Sequence, residues 1–209
     1  MTGASYCHDL RCHCHCPARW PAPERLLVAL HGWGANAEDL ASLAAYLQLP
    51  SYQLLFPNAP LPHPHAPNGR AWYALEQEGY PGLAESRQQL LDWLRSLATT
   101  TGISLSHTVL AGFSQGGAMT LDVGLQLPCA ALCSLSGYLH TPPVPQAQPP
   151  VLITHGRRDP VVPLAAAQQA REALVDLGLS VTYHEFDMGH EVTPPVLKTL
   201  REFLAAAVV

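Results

Sequence analysis

Residues 108–121 read Thr108-Val109-Leu110-Ala111-Gly112-Phe113-Ser114-Gln115-Gly116-Gly117-Ala118-Met119-Thr120-Leu121. The opening run is apolar, too short for a helix, and stops at a serine, after which an apolar pattern of helical spacing begins. Within it, Gly112-Phe113-Ser114-Gln115-Gly116 matches G-x-S-x-G, in which the serine occupies a tight strand-to-helix turn and the glycines leave room for a strained backbone. A chain of this length would show such a match by chance roughly 7% of the time, taking serine to be as common as glycine. The match therefore gains its weight from the strand before it and the helix after it.

Similar apolar runs, closed by Gly or Pro, recur outward from this stretch at residues 26–30, 53–56, 131–135, 151–154 and 181–186. Amphipathic stretches lie between them at 37–47, 83–99, 117–127, 164–177 and 192–207. Strands alternating with helices predict an α/β fold, a mostly parallel central sheet with helices on both faces. Ligand sites in such sheets lie beyond the carboxyl ends of the strands. Gly32-Trp33, Ser114, Asp159 and His190 all fall at such ends. The Pro-rich segments 57–67 and 142–150 are loops, because proline lacks the donor that a strand or helix interior needs.

At the N-terminus, Leu10, Cys12, Cys14 and Cys16 alternate with Arg11, His13 and His15. Period two predicts a half-buried edge strand with cysteine acting as a small hydrophobe. The alternative is a metal site, but zinc ligands typically come at C-x₂₋₄-C spacing. Residues 1–25 are accordingly read as an edge strand and connecting loop of one domain that takes all 209 residues.

Charged residues make up 13% of the chain, against a usual ~25%. The formal charge of −5 and the absence of any Lys/Arg cluster argue against nucleic acid or an anionic membrane as a partner. A small or neutral substrate fits better. Residues 1–16 lack the apolar run of a signal peptide, and no stretch approaches the ~20 apolar residues of a membrane span. The expected location is the cytoplasm, with the six cysteines reduced.

A serine hydroxyl is a weak nucleophile until a base lies within hydrogen-bond reach, and the base needs a third group to fix its tautomer. Where a G-x-S-x-G serine is the nucleophile, the chain order is Ser, acid, His. Among the histidines after Ser114, His184 sits inside an apparent strand and His155 closes another, while His140 precedes every plausible acid except Asp122. His190, in the loop past the last strand, is the candidate base. Asp122, Glu172 and Asp176 fall on helices, and Glu185 and Asp187 are too near His190 in sequence to approach it from a neighbouring strand. Asp159 remains as the acid. Backbone amides of Trp33 and Gln115 are the expected donors to an oxyanion. Trp33 can also line a substrate pocket with its ring. Trp72 and Tyr73 are either pocket wall or loop anchors.

Leu30-His31-Gly32-Trp33-Gly34 with Asp39-Leu40, Gly112 through Gly117, His155-Gly156 through Asp159-Pro160-Val161-Val162-Pro163, and Gly189-His190-Glu191-Val192 resemble the phospholipase/carboxylesterase family, which includes the acyl-protein thioesterases. The resemblance runs from about residue 26 to the C-terminus. It implies an α/β-hydrolase fold and cofactor-free hydrolysis of carboxyl esters or thioesters. His31 through Asn36 and Gly69-Arg70-Ala71-Trp72-Tyr73 look more like the bacterial, particularly cyanobacterial, esterase branch than the eukaryotic depalmitoylases.

Residues 138–150 have the length of a plain loop, so no cap domain is expected. Cover for an acyl chain would then come from residues 61–82, with Trp72, Tyr73 and Tyr80 as a shallow wall beside Trp33, suited to short and medium chains. The leading expectation is a carboxylesterase acting as a monomer or homodimer on small esters, without metal. A thioesterase or lysophospholipase with the same residues is the enzymatic alternative; an inactive hydrolase-fold binding protein and a metal hydrolase are the others.

Overall fold

Strands apolar on both sides need a sheet covered on both faces, and the apolar runs satisfy that need in one sheet. The computed structural model describes residues 12–15 and 23–207. In chain order its elements are β1 (Cys12–His15), β2 (Arg25–Leu30), α1 (Ala37–Ala41), α2 (Ala44–Leu47), β3 (Tyr52–Pro57), β4 (Leu61–Pro62), β5 (Arg70–Ala71) and α3 (Leu83–Thr101). A short 3₁₀ turn (Leu105–His107) leads into β6 (Thr108–Phe113), α4 (Gln115–Gly124), β7 (Ala131–Leu135), β8 (Val151–Gly156), α5 (Leu164–Asp176), β9 (Val181–Phe186) and α6 (Pro194–Ala207). The main sheet has the order β1-β3-β2-β6-β7-β8-β9. All its pairings are parallel except β1 with β3. β4 and β5 form a separate antiparallel ribbon.

The two faces of the sheet sort side chains by parity. Along β2, Leu26, Val28 and Leu30 enter one core layer with Leu90 and Leu94 of α3, Met119 of α4 and Leu174 of α5. Leu27 and Ala29 enter the other, with Leu47 of α2 and Leu200 and Leu204 of α6. Each such leucine contributes about 1.5–3 kcal/mol by leaving water, and the summed burial on both faces holds the helices to the sheet. Residues 136–150, which join β7 to β8, contain no helix or strand, so nothing caps the carboxyl edge there. Among the described residues no helix is long and apolar enough to cross a membrane.

Some boundaries differ from the pattern-based expectation. Residues 37–47 are two short helices, because the Ser42 hydroxyl turns back onto the Asp39 carbonyl and the Leu43 amide reaches the Leu40 carbonyl, three residues back, where an α-helix would bond four back. α4 begins at Gln115, earlier than expected, since the serine turn feeds it without a spacer. α6 begins at Pro194, where a missing N–H costs nothing in a first helical turn. β1 pairs antiparallel at the sheet edge, Cys14 opposite Leu55. The expected alternation of side chains along residues 10–16 lies outside the described residues.

Ser114 takes φ 55° and ψ −118°, a backbone conformation that L-residues adopt only under constraint. The turn closes so tightly that a Cβ on Gly112 would stand 2.2 Å from the Gly116 carbonyl oxygen, and one on Gly116 would stand 2.2 Å from that of Leu30. Both contacts are with backbone, which cannot swing away. Gly116→Ala should therefore cost about 3 kcal/mol or more, the upper range for overpacking. Urea denaturation checks this, and an unchanged midpoint would show that the turn has slack.

Candidate active site

Strands β6, β8 and β9 deliver the polar residues to the carboxyl edge of the sheet. Ser114 follows β6, Asp159 lies in the loop after β8, and His190 lies in the loop after β9. Gly156 makes the last two meet: a Cβ there would be 2.3 Å from the Gly189 carbonyl oxygen, so only glycine lets residues 188–189 cross so closely. Main-chain bonds from Arg157 to Phe186 (2.8 Å) and from Arg158 to Met188 (3.1 Å) lace the two loops together.

The outcome is one hydrogen-bonded line. His190 donates through Nδ1 to Asp159 Oδ2 at 2.7 Å, and its Nε2 lies 2.9 Å from Ser114 Oγ. With the Nδ1 proton committed to the carboxylate, Nε2 is the acceptor for the serine hydroxyl. The Phe113 ring lies against the imidazole, centroids 4.7 Å apart. A hydroxyl placed in this way can hand its proton to the ring as the oxygen attacks an electron-poor carbon.

Asp159 has a fully buried side chain. Burial alone would raise its pKa, but His190 and the amides of Val162 and Val161 bond to the carboxylate and hold it below the ordinary value of 3.8. The amides reach Oδ1 at 2.9 Å and 2.8 Å, so the buried charge is compensated by donors on both oxygens. His155, fully buried at the end of β8, donates through Nε2 to the Val162 carbonyl at 2.8 Å and stands 3.4 Å from Asp159 Oδ2. In the sequence pattern His155 only closes a strand, and the sole sign of its place beside the carboxylate is the short interval to Asp159.

Trp33 follows β2, half-buried, with its ring edge-on to His63 at 4.1 Å. Among the described residues the amides of Trp33 and Gln115 have no main-chain acceptor, which leaves both N–H groups available near Ser114. The Gln115 side chain, for which the sequence offered no role, is buried: it accepts from the Trp72 amide and donates to the Tyr73 carbonyl, both at 2.9 Å. Trp72 and Tyr73 are themselves fully buried. Both pack in the core layer of Leu90, Leu94 and Met119, the setting of loop anchors. Tyr80 packs on Tyr73 at 5.2 Å.

His31 directly follows β2 and has a structural part that its motif does not reveal. It is buried, its Nδ1–H donates to the Gly32 carbonyl at 2.8 Å, and its Nε2 accepts from the Ala59 amide at 3.0 Å. Burial pushes its pKa from 6.5 down to about 4. Cys129 and Cys133 are free and buried, and burial pushes the Cys129 thiol up to about 12. Among the described residues no group of His, Cys, Asp and Glu is arranged to hold a metal ion.

The model of the phospholipase/carboxylesterase family matches residues 17–208. Acyl-protein thioesterase 1 of Saccharomyces cerevisiae is 28% identical over 207 residues, covering 85% of this chain and 90% of that protein. Esterase YpfH of Escherichia coli is 28% identical over 188 residues, covering 81% of this chain and 77% of its own. The crystal structure of esterase PE8 superimposes with a TM-score of 0.88 at 32% identity, covering 95% of this chain and 99% of that one.

The state of His31 generates a prediction with a definite sign. An unfolded chain takes up a proton at this residue as pH falls through 6.5, while the folded chain does so only near 4. Stability is thus lost as pH drops across that window, on the order of 3 kcal/mol for this group at most. In NMR the His31 ring should stay neutral down to about pH 4; titration near the ordinary value would contradict its paired, buried setting.

Proposed function

Since the chain belongs to the phospholipase/carboxylesterase family of α/β-hydrolases and is a carboxylesterase-type hydrolase, we propose that it is a serine esterase with Ser114 as nucleophile, His190 as base and Asp159 as the orienting acid. The observation that carries this reading is the line from Asp159 through His190 to Ser114, at 2.7 Å and 2.9 Å, ending on a serine held in a strained turn.

Ser114 Oγ attacks the acyl carbon while its proton passes to His190 Nε2. The oxyanion is received by the amides of Trp33 and Gln115, aided by the N-terminal end of α4. Collapse breaks the bond to the leaving oxygen or sulfur, and His190 returns the proton to it. Water then repeats the sequence: it yields a proton to His190, attacks the acyl carbon, and releases Ser114 with that proton restored. Asp159 remains ionised throughout and stabilises the imidazolium. The cycle closes with side chains, main chain and water, so no cofactor is required.

The substrate we favour is a small carboxyl ester with a short to medium acyl chain, met in the cytoplasm by a monomer or homodimer. With Trp72 and Tyr73 committed to the core, the apolar cover reduces to residues such as half-buried Trp33. The resemblance to proteins named acyl-protein thioesterase 1 favours a second reading, hydrolysis of longer acyl thioesters by the same residues. Nothing in the net charge of −5 suits nucleic acid.

Ser114→Ala should lower kcat by about 10⁴ to 10⁶ while the fold survives, and Asp159→Asn by about 10³ to 10⁴ through the wrong imidazole tautomer. Activity of Ser114→Ala within tenfold of the parent would place the nucleophile elsewhere. On p-nitrophenyl esters from acetate to palmitate, kcat/KM should gain with each methylene, worth about 0.8 kcal/mol, and level off at roughly four to ten carbons. A sharp preference for palmitoyl substrates would select the thioesterase reading.

A further inference from the structure

The two amides assigned to the oxyanion come from separate parts of the chain, one from the loop after β2 and one from the start of α4. Stabilisation of an oxyanion depends on donors already aimed when charge develops. Neither loop by itself fixes the position of the other.

Residues 70–73 touch both. On the β2 side, the Arg70 carbonyl accepts from Gly34 N–H and the Arg70 N–H donates to the Ala35 carbonyl, each at 2.9 Å. The indole N–H of Trp72 donates to the His31 carbonyl at 3.0 Å. Trp33 is therefore gripped on either side in sequence. On the α4 side, the Gln115 amide docks on residues 72 and 73 with one bond in each direction, as a strand would. The segment has its own footing, since the Arg70 guanidinium donates to the carbonyls of Ala59 and Pro60 at 2.8 Å and 2.6 Å, and the Ser86 hydroxyl of α3 bonds to the Trp72 carbonyl.

A fully buried glutamine amid Gly116, Gly117 and Ala118 is costly unless its amide is paired, and here both ends are paired with one strap. We infer that Trp72 and the Gln115 side chain are positioning residues, which set the separation and direction of the Trp33 and Gln115 N–H groups by tying both loops to residues 70–73. The inference rests on the serine-esterase reading above. It separates two roles of Gln115: its amide meets the substrate, and its side chain holds that amide in place.

Trp72→Phe removes the indole donor while keeping an aromatic ring in the core, and Gln115→Met removes the amide while keeping its length. Active sites are counted by end-point fluorophosphonate labelling, so that loss of folded protein does not enter kcat. Each variant should lose about 10- to 100-fold in kcat with KM within about threefold, the scale of a small misplacement of aligned groups. Affinity for a trifluoromethyl ketone, whose adduct carries the oxyanion, should fall in step with kcat/KM. The pH midpoint of the rate should not move, because Ser114, His190 and Asp159 are untouched. The double variant should be little worse than the poorer single one, as for groups that act as a unit.

A kcat per active site within about twofold of the parent in Trp72→Phe and Gln115→Met, or a loss confined to KM, overturns the positioning role whatever happens to Tm, since a donor displaced from an oxyanion is felt in the transition state. Should Gln115→Met fail to fold, Trp72→Phe carries the test alone. Absence of labelling at Ser114 in the parent protein is a different failure: it removes the esterase reading itself and the strap's role with it.

Discussion

The left-handed backbone of Ser114 is held in place from several directions at once. Its amide donates to the Leu135 carbonyl at 2.8 Å, tying the turn to β7, and its carbonyl accepts from Ala118 at 3.0 Å, starting α4. Gly112 and Gly116 remove the side chains that would otherwise occupy the space of the turn. From this constraint α4 inherits its direction, and with it the near-complete burial of residues 115–121 against β6 and β7. A helix so placed points its N-terminal amides at the serine, which is why a strained residue and an anion-receptive helix end occur at the same spot. The strain is tolerated because the packing of two sheet faces over-determines it.

Asp159 and His31 are both out of water at the site, and each is matched by bonds. Asp159 is buried and ionised, with donors on both oxygens. His31 is buried and neutral, with a donor and an acceptor already assigned. His155 spends its Nε2 proton on the loop that shapes the carboxylate. His190 alone of these three keeps contact with solvent, at 15% side-chain exposure. That distribution leaves one imidazole free to exchange a proton and locks the others into holding loops.

The aromatic residues near the site divide in burial. Trp72 carries an indole N–H that has a partner at His31, so full burial is affordable, and Tyr73 shares its hydroxyl with Tyr138 at 2.5 Å. Trp33 stays half-buried beside its own amide. An aromatic ring whose polar atom is paired can be buried whole and serve as scaffold.

Sequence alone determined what local physics dictates. Apolar runs bounded by breakers specified buried strands, their alternation with amphipathic stretches specified a parallel sheet with helices on both faces, and the glycines around Ser114 specified a turn that no other residue type permits. It also placed Ser114, Asp159 and His190 at strand ends, and strand ends of one sheet lie along one edge. What it left open were contacts between residues distant in the chain: His31 with Trp72, Trp72 with Gln115, His155 with the loop beyond Asp159. Those depend on strand order and on which face of a loop turns inward, so Trp72 and Tyr73 could be read as wall or anchor until the tertiary structure buried them. The break inside residues 37–47 was likewise hidden, because helical spacing persists across Ser42 while its hydroxyl, bonding back to Asp39, ends the helix.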